Sequence, residues 1–250
     1  MTDRNAIESG AGAPGNLRVA ITGGTSGLGR ALARTLGKRG ARVAFCARTA
    51  ASVAQVAAEL PRSRGIVADV SRKEAIHPLA LQLVAALDGL DVLVNNASSL
   101  GPAPLAVLAD TECEDFELAL ATNLLAPFRL TRALLGALAT SARERGSALV
   151  VNVSSDAAIN PYPNWGAYGA SKAALAHLTR IWQEELAAER IRFLNFDPGD
   201  MDTPLHALAV PDADPRSLRR PEEAADELAR RIVEALAASP AAGRDASAIA

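Results

Sequence analysis

The stretch "RVAITGGTSGLGRAL" (18–32) joins a short apolar run to a glycine-rich turn and then to a helical pattern. Its glycines at positions 23, 27 and 29 lie in the turn and at the start of the helix. Glycine lets a backbone approach a phosphate, and a helix N-terminus offers free N–H groups and the positive end of the helix dipole. A tight turn that only needs positive φ is the alternative interpretation. The spacing, T-G-x-x-x-G-x-G, differs from the common G-x-G-x-x-G, but a strand before and a helix after are the expected context of a dinucleotide loop.

Further short apolar runs follow at 42–46, 65–70, 91–96, 148–153 and 191–196, separated by helix-length segments. Continuous apolar runs are typical of strands covered on both faces, and strand–helix alternation implies right-handed crossovers in a parallel sheet. We therefore predict an α/β fold with a single Rossmann-type, doubly wound parallel sheet. It should have six strands in the order 3-2-1-4-5-6 and helices on both faces.

The composition fits one soluble domain, since the chain has 250 residues, a net charge of −2 and 49% hydrophobic residues. We expect a flexible leader (1–15), a Rossmann-type domain (16–240) and a tail (241–250).

The balanced charge argues against nucleic-acid binding, and no apolar run is long enough to span a membrane. The leader lacks the apolar stretch of a signal peptide, so we expect a cytoplasmic location. Cys46 and Cys113 have no metal-ligand spacing, so we expect reduced thiols and no metal site.

The second apolar run ends in "FCARTAAS" (45–52), which contains no acidic residue. About 20 residues after a dinucleotide loop, an acidic side chain normally binds the ribose 2′-hydroxyl. Arg48 stands at that place here. A carboxylate would repel a 2′-phosphate, whereas a guanidinium can pair with it. We therefore predict that NADP(H) is preferred and that NAD(H) is possible; a solvated surface arginine is the alternative.

These features resemble the short-chain dehydrogenase/reductase family from about residue 17 to about residue 235. The matching motifs are "TGGTSGLG" (22–29), "ADV" (68–70), "NNAS" (95–98), "YGASK" (168–172) and "DPGDMDT" (197–203). Ser98 replaces the last glycine of the family's N-N-A-G. The resemblance implies that the cofactor is bound by Thr22, Gly23, Thr25, Ser26, Gly27, Leu28, Gly29, Arg48, Asp69, Val70, Asn96, Ala97, Ser98, Tyr168, Lys172, Pro198, Gly199, Met201 and Thr203.

Tyr168 and Lys172 are four residues apart, so on a helix both can point into one cleft. A free tyrosine has a pKa of about 10, and a nearby ammonium is expected to lower the pKa towards the range that acid–base catalysis needs. A pair on a solvated helix face is the alternative. The resemblance implies a catalytic set of Asn123, Ser155, Tyr168 and Lys172. In that set Ser155, rather than its neighbour Ser154, would bind the substrate oxygen, Tyr168 would protonate it, and Lys172 would hold the nicotinamide ribose.

The resemblance thus implies an NADPH-dependent oxidoreductase that reduces a small-molecule carbonyl substrate to an alcohol, or runs in reverse. The alternatives are a non-catalytic cofactor-binding regulatory protein and an NAD-dependent alcohol dehydrogenase. We expect the substrate pocket to be formed by 98–105, 156–165 and 201–220. The candidate residues there are Tyr162, Trp165, Met201, Leu205 and His206. The proline-rich and charged segment 209–223 is expected to be a long loop.

Two further expectations concern the helices. Pro127 lies four residues after Asn123 and has no N–H, so the Asn123 carbonyl should lose its helical donor. This carbonyl could hold a water within reach of Lys172, as it does in the family, or Pro127 could merely bend the helix; both remain open. The seventh strand usual in the family is not evident, so we expect a homodimer through the long helices 110–140 and 165–188, with a tetramer possible.

Overall fold

The computed structural model describes residues 16–238. The strands are β1 (Arg18–Thr22), β2 (Arg42–Ala47), β3 (Ser63–Val67), β4 (Val92–Asn95), β5 (Ala148–Val153) and β6 (Ile191–Phe196). They form one parallel sheet in the order β3-β2-β1-β4-β5-β6, which confirms the predicted fold. Within residues 16–238 the sheet has no seventh strand. The predicted leader (1–15) and tail (241–250) lie outside the described residues.

The α-helices lie in two layers, one on each face of this sheet. They are α1 (Gly27–Lys38), α2 (Ala50–Glu59), α3 (Ile76–Leu87), α4 (Cys113–Leu120), α5 (Ala126–Arg145), α6 (Gly166–Glu185), α7 (Pro204–Ala209) and α8 (Pro221–Ala237). Helices α1, α2 and α8 pack on one face, and α3, α5 and α6 pack on the other. Short 3₁₀ turns at Lys73–Ala75, Leu108–Asp110, Asp156–Ala158, Ala187–Glu189 and Pro215–Ser217 complete the connections.

The side chains of β1 explain why the strands are continuously apolar. Val19 and Ile21 belong to the core on the α1 and α8 face, while Ala20 belongs to the core on the α3 and α5 face. Successive strand residues point to opposite faces, so a strand covered on both sides buries every residue.

The third strand was predicted two residues too late at its start and three too late at its end. The residues Ser63 and Arg64 begin it, and their polar side chains conceal the start. Its ladder ends where Ala68 N donates to Ala47 O (3.0 Å). Asp69 Oδ1 then accepts from Ser71 N (3.0 Å), and this side-chain turn leads the chain away from the sheet.

The predicted helix 110–140 is interrupted by a π-helical turn, Ala121–Leu125, between α4 and α5. The Ala126 N–H donates to the Ala121 carbonyl, five residues back. Pro127 follows at once and cannot donate to the carbonyl of Asn123. The irregularity expected around Pro127 is therefore a π-turn, a feature often found at functional sites.

The segment predicted as a long loop is more ordered than expected. The helix α7 precedes it, a 3₁₀ turn (Pro215–Ser217) lies within it, and α8 already begins at Pro221. Thr203 caps α7, since its Oγ1 accepts from His206 N (3.2 Å). With six residues, α7 is too short to show a helical period in the sequence.

Among residues 16–238, none of the helices is both long enough and apolar enough to span a membrane.

Candidate active site

A cleft of about 870 Å³ opens beyond the carboxyl ends of the strands, around the place where β1 and β4 are neighbours. The chain connections that follow β1 and β4 run in opposite directions along the sheet, and this opens a crevice between them. Open α/β sheets bind their ligands in such a crevice. The predicted site residues that line the cleft are Gly23, Thr25, Ser26, Gly27, Leu28, Arg48, Asp69, Val70, Asn96, Ala97, Ser98, Ser155, Tyr168, Lys172, Pro198, Gly199, Met201 and Thr203. Thr22, Gly29 and Asn123 do not line it.

The glycine loop has the geometry of an anion cradle. Gly23 (φ 68°) and Gly27 (φ 46°) adopt the left-handed conformation that other residues disfavour. A Cβ on Gly29 would lie 2.3 Å from the Gly23 carbonyl oxygen, so α1 packs tightly against the turn. Ser26 at the N-cap makes no side-chain capping bond, and the first turn of α1 contains no acidic residue. The free N–H groups there suit the pyrophosphate of a dinucleotide.

Thr22 supports this loop from behind. Its Oγ1 accepts from the N–H groups of Asn96 and Ala97 (3.0 Å each). In return, Asn96 Nδ2 donates to the carbonyls of Thr22 (2.9 Å) and Gly23 (3.1 Å). These bonds tie the end of β1 to the end of β4.

Arg48 lies at the end of β2, where the sequence predicts the residue that selects between NADP(H) and NAD(H). Its side chain is exposed and lines the cleft beside Thr49. No ion pair involves Arg48 among residues 16–238. At the same end, Asp69 Oδ1 accepts from Ser71 Oγ (2.7 Å), which fixes the carboxylate beside Val70.

Tyr168 and Lys172 lie together in the first two turns of α6 and face the same cleft, as the spacing predicts. Tyr168 is 7% exposed and Lys172 is 2% exposed. Lys172 Nζ donates to the Val153 carbonyl (2.8 Å) and lies 5.4 Å from the centroid of the Tyr168 ring. This pair is therefore a buried one, and the alternative of a solvated helix face is wrong.

The expected lowering of the Tyr168 pKa by its lysine neighbour is wrong for this structure. Burial raises the pKa of Tyr168 to about 12, and the negative charges of Asp197 and Asp156 add to that rise. The Ser155 and Ser98 hydroxyls oppose it. Burial lowers the pKa of Lys172 to about 8, against the charge of Asp197. Removing a charged group from water disfavours its charged form, so burial raises the pKa of the phenol and lowers that of the ammonium.

Ser155 follows β5 at the edge of the cleft. Its Oγ donates to Asp156 Oδ1 (3.1 Å) and accepts from Ala157 N (3.2 Å). Ser154 also lines the cleft, but its N–H donates to the Phe196 carbonyl (2.8 Å), which joins it to β6.

Asn123, which is bonded to the helix of Tyr168 and Lys172, is 1% exposed. Its Nδ2 donates to Ser99 O and to Ser171 Oγ (2.8 Å each), and its Oδ1 accepts from Ser99 N (2.8 Å) and Ser98 Oγ (3.1 Å). The side chain thus joins the π-turn to the loop after β4 and to α6. Ser171 Oγ in turn donates to the Tyr168 carbonyl (2.7 Å).

The three segments predicted to form the substrate pocket meet at the other end of the cleft. All five predicted candidates, Tyr162, Trp165, Met201, Leu205 and His206, line it. Leu100, Ala157 and Tyr168 form a small apolar cluster there. Three acidic residues also line the cleft, Asp156, Asp197 and Asp200; they lie in or beside the predicted segments but were not named as candidates. Their positions beside Ser155 and Pro198 are the signal that could have revealed them. Residues 16–238 contain no cluster of potential metal ligands.

Comparison with known proteins places the chain among dehydrogenases. The family described as "short chain dehydrogenase" matches residues 18–214. A serine 3-dehydrogenase from Agrobacterium fabrum is 33% identical over 187 residues, which is 74% of this chain and 72% of that protein.

Two solved structures are similar over most of their length. One is a 3-ketoacyl-(acyl-carrier-protein) reductase from Brucella melitensis complexed with NADH (TM-score 0.81, 26% identity, 89% of this chain and 93% of that chain). The other is a single-residue variant of the actinorhodin polyketide ketoreductase with NADPH (TM-score 0.78, 28% identity, 90% of this chain and 94% of that chain). The chain therefore belongs to the short-chain dehydrogenase family and is an oxidoreductase that uses a nicotinamide cofactor.

Proposed function

We propose that this enzyme reduces the carbonyl group of a small molecule to an alcohol with NADPH, or catalyses the reverse reaction. The observation that carries this proposal is the buried pair Tyr168 and Lys172, which shares one cleft with Ser155 and an anion-binding glycine loop. Asn123 belongs to the proposed catalytic set because its bond to Ser171 Oγ holds α6, the helix that carries Tyr168 and Lys172.

The residues of the cleft divide into three groups that would hold the cofactor. The loop from Gly23 to Leu28 would bind the pyrophosphate, with Thr22 and Gly29 shaping the loop. Arg48 would bind the 2′-phosphate, and Asp69 and Val70 would contact the adenine. Asn96, Ala97, Ser98, Lys172, Pro198, Gly199, Met201 and Thr203 would surround the nicotinamide and its ribose. When bound, the cofactor supplies the hydride, and the protein orients and polarises the reactants.

Tyr168 would supply the proton. A phenol whose pKa lies near 12 keeps its proton at neutral pH and is a donor, as reduction requires. Lys172, whose pKa is about 8, is mostly charged at neutral pH, and its ammonium favours the phenolate that forms as the proton leaves. Ser155 would hydrogen-bond the substrate oxygen. A water on the main-chain carbonyl of Asn123 would supply a new proton to Tyr168 through Lys172. Pro127 supports this relay because it has no N–H that could donate to that carbonyl.

The reaction is tested by measuring NADPH oxidation with ketones, sugars, pterins and acyl thioesters. At least one carbonyl class should be reduced, with one alcohol formed for each NADPH consumed. If the purified enzyme binds NADPH but reduces none of these compounds, the proposal of a carbonyl reductase is contradicted and the regulatory alternative gains support.

Cofactor choice is tested by titrating NADPH and NADH separately and following their fluorescence. A charge-assisted hydrogen bond contributes about 1.5–3 kcal/mol, so NADPH should bind roughly tenfold to a hundredfold more tightly than NADH. Arg48→Ala should remove most of this difference without changing NADH binding. Equal affinities in the wild-type enzyme would instead support an NAD-dependent dehydrogenase.

We further propose a homodimer built on α4, α5 and α6, with a tetramer as the alternative. Leu118, Leu125 and Ile181 carry exposed apolar side chains on these neighbouring helices. The division into leader, catalytic domain (16–240) and tail, and the cytoplasmic location, stay predictions of the sequence.

A further inference from the structure

Asp156 is a carboxylate of the substrate end that the proposed chemistry does not use. It follows Ser155 directly, lines the cleft and is exposed. Its Oδ2 accepts from the Tyr162 hydroxyl (2.6 Å), and its Oδ1 accepts from Ser155 Oγ (3.1 Å). A carboxylate oxygen can accept two hydrogen bonds, so each oxygen keeps capacity for a donor on a bound molecule. The Tyr162 hydroxyl fixes the position of the carboxylate beside Ser155.

The charges around Asp156 are unbalanced. Asp197 and Asp200 also line the cleft, whereas Arg48 and Lys172 are the only lysine or arginine residues that line it among residues 16–238. Arg48 lies at the opposite end, and Lys172 is buried against Val153 and Tyr168. A negatively charged substrate would thus meet several carboxylates and no available lysine or arginine, and His206 Nε2 already lies 3.8 Å from Asp200 Oδ1. A positively charged substrate would meet hydrogen-bond acceptors of opposite charge.

The wall beside Asp156 is aromatic. The rings of Tyr162 and Trp165 lie with their centroids 6.5 Å apart, and those of Trp165 and Tyr168 lie 5.6 Å apart. Aromatic faces attract cations, so aromatic side chains next to a carboxylate form a common recognition site for ammonium groups. The aromatic wall is an observation independent of the acidic charges, and both favour the same chemical class.

We propose that the substrate is a carbonyl compound that carries a cationic amino group, and that Asp156 binds this group. This proposal rests on the proposed reductase function and specifies the substrate class of the same cleft. Asp156 determines specificity, and the Tyr162 hydroxyl holds its carboxylate towards the cleft when Ser155 donates to the substrate oxygen.

The test uses three methyl ketones that differ only at the end of a two-carbon arm. An aminobutanone and a hydroxybutanone carry an ammonium or a hydroxyl on this arm, and levulinate, which has one carbon more, carries a carboxylate group at the same position. The kcat/KM with NADPH should be highest for the aminobutanone and lowest for levulinate. Asp156→Asn should reduce the ratio of aminobutanone to hydroxybutanone by about tenfold, because one hydrogen bond between charged groups is lost. Asp212→Asn, which removes the same charge from an exposed residue outside the cleft, should leave the ratio unchanged.

A general effect of Asp156→Asn on Ser155 would change kcat/KM for all the ketones alike. The ratio of kcat/KM values between two ketones therefore reports only on recognition of the amino group. If the hydroxybutanone is reduced but Asp156→Asn leaves the ratio unchanged, the proposal is overturned while the reductase function stands. If none of the ketones is reduced, the affinities of the corresponding amino alcohol and hydroxy acid for the enzyme–NADP⁺ complex test the proposal instead. Both affinities can be measured by calorimetric titration. Tighter binding of the amino alcohol that depends on Asp156 supports the proposal, and tighter binding of the hydroxy acid, or no binding of the amino alcohol, overturns it.

Discussion

At Tyr168, burial and a neighbouring ammonium act on the phenol in opposite directions. Sequence spacing shows only the ammonium, because it places Lys172 one helical turn away. The depth of both side chains depends on the packing of α6 against the rest of the cleft, and this packing determines that burial dominates. The sequence can therefore propose the catalytic residues and bring them to one cleft, but it does not give the direction of their pKa shifts.

Lys172 gives the residue-scale prediction of pH dependence. Its pKa of about 8 means that the ammonium persists below that pH and is lost above it. The proposed bond to the nicotinamide ribose is stronger from an ammonium than from a neutral amine. The Kd of NADPH should therefore be constant up to about pH 7.5 and rise several-fold by about pH 9.5, as fluorescence titration would show.

The control for this prediction is Lys172→Arg, which stays charged over the whole range. Whatever its absolute value, the Kd of this variant should not change with pH. A wild-type Kd that is constant up to about pH 9.5 would show that the charge of Lys172 does not contribute to cofactor binding.

At the scale of elements, the segment 198–202 is fixed by one residue of the following loop. Arg219 Nη1 donates to the Pro198 carbonyl (3.1 Å), and its Nη2 donates to Glu227 Oε2 of α8 (2.7 Å). The backbone of Arg219 also exchanges bonds with Asp200 O (2.9 Å) and Asp202 N (3.0 Å). The proposed nicotinamide contacts of Pro198 and its neighbours are thus positioned by α8 through Arg219.

We predict that Arg219→Met raises the KM for NADPH by roughly threefold to tenfold, because the Pro198 segment loses a charge-assisted bond. The kcat should change little, since Arg219 touches none of the reacting groups. Arg219→Lys should restore part of the affinity, and Glu227→Gln should have a smaller effect in the same direction. Steady-state kinetics at saturating carbonyl substrate measures both constants.

The matched control is Arg231→Met, which removes a more exposed arginine 4.0 Å from the other oxygen of Glu227. It should leave the KM unchanged. If Arg219→Met lowers the melting temperature but leaves the KM for NADPH at the wild-type value, Arg219 stabilises the fold without positioning the cofactor site.

Elements differ in how well the sequence predicts them. The buried strands could be recognised because their apolar runs are continuous, and β5 and β6 have the predicted bounds. The π-turn at Ala121–Leu125 was not predicted, since the pattern of α4 continues into α5 across it. The short α7 was also missed, because two turns of helix give no measurable period. The polar start of β3 depends on its pairing with β2, which local sequence does not show.

At the scale of the whole molecule, the site could be predicted because the fold itself assembles it. The glycine loop, Arg48, Ser155 and the Pro198 segment all follow the carboxyl ends of parallel strands, which meet at one edge of the sheet. The acidic lining could not be predicted as a unit, since Asp156 and Asp200 follow different strands, β5 and β6, and only the fold places both in one cleft.

The proposed dimer interface can be tested by substitution of its exposed apolar side chains. Leu125 is 38% exposed and Ile181 is 41% exposed, so replacing them should not disturb the core. Leu125→Asp combined with Ile181→Asp should convert a wild-type dimer to a monomer by placing charges in the interface, as light scattering after gel filtration would show. Leu81→Asp, on α3 and 74% exposed, is the control and should remain a dimer. A monomeric wild-type enzyme, or a double variant that remains dimeric, would contradict this interface.

The central claim is that Tyr168 transfers the proton in a nicotinamide-dependent reduction. Its most direct test is the turnover number of Tyr168→Phe on a carbonyl compound that the wild-type enzyme reduces, measured together with the Kd of NADPH. The substitution keeps the ring that packs in the cleft and removes the hydroxyl. Turnover should fall by about a hundredfold or more, while NADPH binding stays at the wild-type value. Near-normal turnover of Tyr168→Phe with NADPH bound as in the wild type would contradict the claim and assign the proton to another group.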